Sequence, residues 1–118
     1  MTDARIIKKY PNRRLYDTIE SRYITLADIR NLVVVGTDFV VIEQKTQDDI
    51  TRSILLQVIS EQEHLGEPLM SREFLSEVIR SYGMSMPAEL GSFLEDCLHR
   101  YASQARERVK STSAGTAA

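Results

Sequence analysis

Residues 5–25 read RIIKKYPNRRLYDTIESRYIT, and this stretch predicts a small β-structure at the start of the chain. Residues 5–10 alternate between two faces, as the residues of a strand do. Pro11-Asn12 interrupts the alternation, residues 13–16 resume it, and residues 23–25 are expected to pair back on the first segment. The sequence therefore predicts a twisted β-ribbon with an edge that the proline keeps irregular.

This ribbon is basic although the chain as a whole is slightly acidic, with 15 Lys and Arg against 17 Asp and Glu. From Arg5 to Arg22 there are six basic and two acidic residues, whereas residues 23–104 hold six basic and thirteen acidic ones. A cationic patch on an acidic body indicates that a polyanion binds at one place. The alternative is a solvated basic strand, because cationic edge strands also protect sheets from aggregation.

Beyond the ribbon the pattern becomes helical around one further strand. Thr25 and Asp28 have the spacing of a capping box, and Gly36 is expected in a left-handed conformation just past the end of that helix. Residues 39–43, FVVIE, predict a buried strand, with the first hairpin as its candidate partner. The starts of the three later helices are expected at Asp49 or Thr51, at Ser71 and at Pro87.

The expected fold class is α+β, with a small N-terminal β-ribbon and one further strand followed by three or more helices that also oligomerise. A single domain, which carries both the polyanion-binding ribbon and the oligomerising helices, is expected over residues 1–110. Its basic ribbon covers about 5–25 and its helical part about 50–110. Residues 111–118, STSAGTAA, are expected to form a disordered tail.

The chain lacks the motifs of the common enzyme and metal-site classes. Its single cysteine, Cys97, excludes an internal disulfide and any Cys-x-x-Cys site, and its five glycines form no phosphate loop. His64 and His99 have no ligand partner at zinc spacing. We therefore expect no enzyme, no metal and no cofactor, although a triad assembled from distant residues is left open.

The longest apolar runs, LVVV and FVVI, have four residues each, against the roughly twenty of a membrane span. The N-terminus also lacks the apolar stretch of a secretory signal. A cytoplasmic protein without a membrane partner is the expectation, and one lone thiol fits that reducing compartment.

Cations alternate with tyrosines and an asparagine in KKYPNRRLYDT, residues 8–18. Lysine and arginine neutralise phosphates. Arginine can form two hydrogen bonds to guanine, and asparagine can form two to adenine. A two-stranded ribbon is also narrow enough to enter the major groove. Tyr23 is assigned mainly to packing on the first helix, whereas the other two tyrosines are divided evenly between packing and contact with nucleic acid. The expected DNA-contacting residues are Lys8, Lys9, Tyr10, Asn12, Arg13, Arg14, Tyr16 and Arg22. Asn12, Arg13 and Arg14 are expected to read bases and the lysines to hold phosphates.

The strings IIKKYPNRRLYDT, SRYITLADI, DDITRSILLQVISEQE and PLMS with IRSYG resemble the N-terminal DNA-binding domain of the polyhydroxyalkanoate (polyhydroxybutyrate) synthesis repressors. The resemblance runs from about Arg5 to Glu95. It implies a transcriptional repressor that binds double-stranded promoter DNA of granule-associated phasin genes and of its own gene. It also implies release from DNA when nascent polyester granules sequester the protein, which places it at the nucleoid and at the storage-granule surface.

The last predicted helix has a heptad-like apolar seam, which indicates a surface for a homo-oligomer, a dimer or a tetramer, or for the polyester. Its residues are Leu90, Phe93, Leu94, Leu98 and Tyr101. Because one patch cannot serve both uses, oligomerisation and granule binding are expected to compete. Two other functions stay open, a granule-coat protein that tethers DNA nonspecifically and an RNA-binding module that stacks bases on its tyrosines.

Overall fold

A computed structural model describes residues 4–84 and 87–116 of the chain. The elements in chain order are β1 (Arg5–Lys9), β2 (Leu15–Asp17), β3 (Arg22–Ile24), α1 (Leu26–Val35), β4 (Phe39–Glu43), α2 (Thr51–Leu65), α3 (Arg72–Ser81) and α4 (Pro87–Thr116). They fall into two compact units, the first ending at Leu69 and the second beginning at Met70. The expected α+β class is confirmed.

The four strands form one sheet in the order β3-β2-β1-β4. β1 runs antiparallel to β2 and parallel to β4, and β2 runs antiparallel to β3. The expectation that residues 23–25 pair back on the first strand is therefore wrong, since β3 pairs with β2. The physical reason is that both edges of β1 are already occupied, one by β2 and the other by β4, so β3 has only the free edge of β2 to pair with.

Helix α1 carries the chain from β3 across to β4, and its ends are those that the sequence predicts. The Thr25 hydroxyl accepts the Asp28 N–H at 3.3 Å, and the Asp28 carboxylate accepts the Thr25 N–H at 2.9 Å. Gly36 ends the helix with φ 88°, a conformation that glycine adopts without strain. The capping box and the terminal glycine are both confirmed.

Helix α2 starts differently from the prediction, because its N-cap is Ile50, which has no side-chain cap bond. The hydroxyl of Thr51 accepts the N–H of Val41 at 2.9 Å on strand β4 and donates to the carboxylate of Asp49 at 2.6 Å. That carboxylate also accepts the Thr51 N–H at 2.9 Å. Both predicted residues thus act at the start of the helix, but neither is its N-cap: Asp49 bonds to Thr51, and Thr51 links the helix to β4.

The core of the first unit lies between one face of the sheet and the two helices α1 and α2. Each strand contributes one buried hydrophobic residue, and the helices contribute the other three. These residues are Ile7, Leu15, Ile24 and Val41 from the strands and Ile29, Ile54 and Val58 from the helices. Because side chains alternate along a strand, the residues next to the buried ones point to the opposite face of the sheet.

In the second unit, α3 begins as expected at Ser71, whose hydroxyl accepts the Phe74 N–H at 3.0 Å, and α4 begins at Pro87 as expected. Helix α4 continues to Thr116 and so includes most of the segment for which the sequence predicts a disordered tail. Residues 117 and 118 lie outside the described residues. The limits of the single domain stay a prediction. In the part of the chain that the structure describes, no helix is long and apolar enough to cross a membrane.

Candidate nucleic-acid interface

Two of the six cations in the basic segment are neutralised by acids. The Arg5 guanidinium lies 3.3 Å from the buried carboxylate of Asp17. Arg22 donates to Glu20 at 2.7 Å and lies 3.9 Å from the Asp28 carboxylate. The hydrogen bond with Glu20, and then the negative charge of Glu20, raise the pKa of Arg22. These two arginines therefore add little net positive charge to the surface.

The other four cations, Lys8, Lys9, Arg13 and Arg14, lie at the end of β1 and in the turn that leads to β2. Across residues 4–84 and 87–116, none of them takes part in an ion pair. The net charge of +4 that the sequence assigns to the whole segment is thus concentrated at one end of the sheet. Such a cluster of uncompensated cations is the electrostatic signature of a polyanion site.

A tight turn between β1 and β2 fixes the backbone positions of Arg13 and Arg14. The N–H of Arg13 donates to the carbonyl of Tyr10 at 2.9 Å, and the N–H of Tyr10 donates to the carbonyl of Arg14 at 2.9 Å. Arg13 has φ 69°, which matches a three-residue hairpin loop with its last residue in the left-handed region. The Asn12 side-chain oxygen accepts the N–H of Arg14 at 3.1 Å. Asn12 thus shapes the turn, and one acceptor site of its amide is already in use.

Three tyrosines form a cluster on the face of the sheet opposite the core. The ring centroids of Tyr10 lie 6.3 Å from those of both Tyr16 and Tyr23, and Tyr16 and Tyr23 are 5.3 Å apart, all three pairs edge to face. The Arg14 guanidinium carbon lies 5.1 Å from the centre of the Tyr23 ring. Lys8 is in register with Tyr16, and Tyr16 with Tyr23, so a cation and two rings form one row across the strands.

The position of Tyr23 in this cluster differs from the prediction that it mainly packs on the first helix. Tyr23 is 49% exposed, because its neighbour Ile24 takes the inward position next to the core. The alternation of side chains in residues 22–24 contains this signal, since an inward Ile24 requires an outward Tyr23. The structure thus adds Tyr23 to the surface that contains Tyr10 and Tyr16.

The structure brings together most of the predicted DNA-contacting residues but not all of them. Lys8, Tyr10, Arg13, Arg14 and Tyr16 lie around the turn and the tyrosine cluster, with Lys9 on the core-facing side of the same strand end. Arg22 lies at the start of β3, which is the end away from the β1–β2 turn, beside the Arg5–Asp17 pair. The free two-stranded ribbon expected for a major groove is also absent from the described residues, because β1 is an interior strand of the sheet. The parts of this region that are open to solvent are the turn and the outer face of the sheet.

The second predicted surface lies on α4. Phe93, Leu98 and Tyr101 are each more than 60% exposed, whereas Leu90 and Leu94 are half-buried. Leu90, Phe93 and Leu94 line a cavity of about 590 Å³ between α3 and α4. The use of this surface by a second subunit or by a polymer stays a prediction.

Comparison with known proteins adds independent evidence on the family. A family model described as the PHB/PHA accumulation regulator DNA-binding domain matches residues 6–66, which include the whole sheet except Arg5, and helices α1 and α2. A Thiocystis violacea protein named "Uncharacterized protein in phbA 5'region" is 52% identical over 110 residues, covering 93% of this chain and 80% of that protein. An uncharacterized protein of Allochromatium vinosum is 51% identical over 110 residues, covering 93% and 72%. No solved structure matches.

The matched segment contains the turn, its four unpaired cations and the tyrosine cluster. Its family is one of DNA-binding regulator domains and not one of enzymes. In the described part of the chain, no three side chains of the metal-ligating types lie together. The chain belongs to the family of PHB/PHA accumulation regulators, and residues 6–66 are its DNA-binding domain.

Proposed function

We propose that this protein is a sequence-specific transcriptional repressor that binds promoter DNA through the β1–β2 turn and the adjoining outer face of the sheet. The observation that carries the proposal is the gathering of Lys8, Lys9, Arg13 and Arg14, all without acidic partners, around one rigid turn. Its targets are genes of polyester storage, including phasin genes and its own gene. The protein acts in the cytoplasm, at the nucleoid and at the surface of storage granules.

The turn and the outer face have different tasks in this proposal. Arg13 and Arg14 protrude on the turn, where a guanidinium reaches the edge of a guanine or a phosphate. Lys8 lies on the outer face beside Tyr16, where a lysine holds a phosphate and a tyrosine hydroxyl donates to another. Arg14 is oriented by its contact with the ring of Tyr23, so less side-chain entropy is lost when it binds.

One such interface is small, and four cations neutralise few phosphates. We therefore propose that a dimer or a tetramer places several turns on successive half-sites, with α4 as the oligomer surface. Three apolar residues of that helix are exposed, which supports a partner on this face. Nascent polyester granules, binding at the same face, displace the partner and release the DNA. That one relative is encoded in the 5' region of phbA supports a role close to storage genes.

The test is fluorescence-anisotropy binding to a duplex from the gene's own upstream region and to a scrambled duplex, over a series of salt concentrations. Specific readers prefer their site by about a thousandfold or more. Arg13→Gly is the informative variant, because glycine adopts φ 69° freely and the turn is retained while the cation is lost. Arg22→Gln is the matched control, since this arginine is already paired with acids.

Loss of one phosphate contact in Arg13→Gly makes the negative slope of log K against log salt shallower by about 0.9. Loss of a base contact instead lowers the preference for the native duplex roughly tenfold or more with an unchanged slope. Arg22→Gln is expected to behave as the unmodified protein. Equal binding of both duplexes, or equal losses in the two variants, contradicts the proposed interface.

The exposed apolar residues of α4 also favour a second candidate, a granule-coat protein whose basic turn tethers DNA nonspecifically. Phe93→Ser/Leu98→Ser separates the two functions, because both side chains are exposed and outside the DNA-binding domain. A granule-coat protein loses polyester adsorption and keeps equal affinity for native and scrambled duplexes. A repressor that uses α4 as its oligomer surface loses specific affinity for the native duplex as well.

A further inference from the structure

A groove of about 680 Å³ opens beside the β1–β2 turn, at the end of the sheet where α2 packs. Its rim contains Lys9, Arg13 and Arg14, three of the four unpaired cations. Its floor contains the buried core residues Leu15 and Ile54, and its wall contains the half-buried Leu26 and the 49% exposed Tyr23. This volume lies in the range of small-molecule sites, which is about 300–1,000 Å³.

The lining of the groove has one sign of charge only. The described residues that line it include three cations and no acidic side chain. The other lining residues, among them Leu26 and Gln57, are apolar or neutral. Because cations and apolar side chains line the same groove, both parts of one small amphipathic ligand find matching surfaces.

A purely inorganic anion leaves the apolar wall of Leu26 and Tyr23 in contact with water, and a purely apolar ligand leaves the three cations unpaired. A DNA phosphate group matches the cations but offers no hydrocarbon to the apolar wall. The ligand that satisfies both is an anion with a short hydrocarbon chain, since burying each methylene contributes about 0.8 kcal/mol, or roughly fourfold in affinity. The rim forms charge-assisted hydrogen bonds to its carboxylate or phosphate group.

We propose that this groove binds a small amphipathic anion, a chain of about four to eight carbons that ends in a carboxylate or a phosphate. The ligand competes with DNA because it occupies Arg13 and Arg14, an effect that rests on the function proposed above. The groove is thus an effector site within the DNA-binding domain, separate from the apolar surface of α4. Binding of the anion lowers DNA affinity by the same factor that DNA lowers anion affinity.

The test is isothermal titration calorimetry of the full chain with inorganic phosphate, butyl phosphate and octyl phosphate, below the micelle-forming concentration of the octyl compound. Affinity is expected to rise by about tenfold or more from butyl to octyl phosphate, since part of the four added methylenes is buried. Lys9→Gln and Gln57→Glu are each expected to weaken octyl phosphate about three- to tenfold. Lys45→Gln is the matched control, because Lys45 is an exposed cation outside the groove.

Three results overturn the site. They are equal affinities for the three phosphates, an octyl phosphate affinity unchanged by Lys9→Gln and Gln57→Glu, and no binding at all. Competition is measured separately, by adding octyl phosphate or the neutral octyl glucoside to a labelled duplex complex, and only the anion is expected to displace DNA. Displacement by neither compound overturns the competition. A chain that binds octyl phosphate but no duplex contradicts the proposed function and leaves the groove supported.

Discussion

Replacing Asp17 by asparagine tests whether the ion pair with Arg5 stabilises the N-terminal sheet. The Asp17 carboxylate is 2% exposed, accepts the Arg5 guanidinium at 3.3 Å, and also accepts the Ile19 N–H at 2.9 Å in the turn to β3. An asparagine oxygen keeps the bond to Ile19. Its NH₂ group then faces the guanidinium, so a charge-assisted hydrogen bond is replaced by two opposed donors.

A fully buried pair that loses one partner costs about 3–5 kcal/mol. The Arg5 side chain is 23% exposed, so water compensates part of the loss, and we expect Asp17→Asn to lower the free energy of unfolding by about 2 kcal/mol. With a urea m-value of about 1.5 kcal/mol/M, the unfolding midpoint falls by about 1.3 M. Tyrosine fluorescence reports this transition, because the chain has no tryptophan and three of its five tyrosines form the cluster on this sheet.

The matched control is Glu20→Gln, which breaks the exposed pair with Arg22 and is expected to leave the midpoint nearly unchanged. A double-mutant cycle with Arg5→Gln isolates the pair and is expected to give a coupling of about 1 kcal/mol. If Asp17→Asn unfolds at the same urea concentration as the unmodified protein, or if the coupling is near zero, the pair is not a stabilising element. Arg5 would then also count as a free cation, at the end of β1 away from the turn.

Thr51→Val removes the hydroxyl that accepts the Val41 N–H and leaves that buried donor unpaired. We expect the free energy of unfolding, measured in urea, to fall by about 1–3 kcal/mol. Thr46→Val, which removes an exposed hydrogen bond in a turn, is the control. Hydrogen bonds from the Thr51 hydroxyl and N–H lower the pKa of Asp49, so an NMR titration of Thr51→Val is expected to show that pKa moving up, and an unchanged pKa would contradict the bond. Because the folded pKa is the lower one, the stabilisation by Asp49 is present above its ordinary pKa and is lost as the pH falls through the folded value. Gly36→Ala places a side chain at φ 88° with open space around it, so the expected loss of about 1 kcal/mol is backbone strain alone, and an unchanged melting temperature would contradict it.

The predictions that hold for the fold rest on signals spanning three or four residues. The capping box of Thr25 and Asp28, the left-handed Gly36 and the Ser71 cap are each set by the geometry of one helix end. Strand alternation in residues 5–10 likewise needs only neighbouring residues. The start of α2 departs from prediction because Thr51 meets a partner on β4, ten positions away.

The resemblance carried by the KYPNRRLYDT string was enough to predict the family, and the match to residues 6–66 confirms it. The basic segment and its tyrosines could also be found in the sequence, because they are properties of composition. Composition does not show which charged side chains remain without an ion-pair partner. Arg5 is neutralised by Asp17, twelve positions away, and that pairing exists only because β1 and β2 adopt a particular register.

The chain order of residues was thus sufficient for the elements, for both ends of α1 and the start of α3, and for the presence of a basic segment, since each depends on local backbone preferences or on charge. Only the tertiary structure decided that β1 is an interior strand, that Tyr23 joins the outer face, and that four cations surround one turn beside an apolar groove. The physical reason is that strand pairing and burial join residues far apart in sequence. Pairing of two cations with acids and burial of the intervening apolar residues leave the rest of the charge at one end of the sheet.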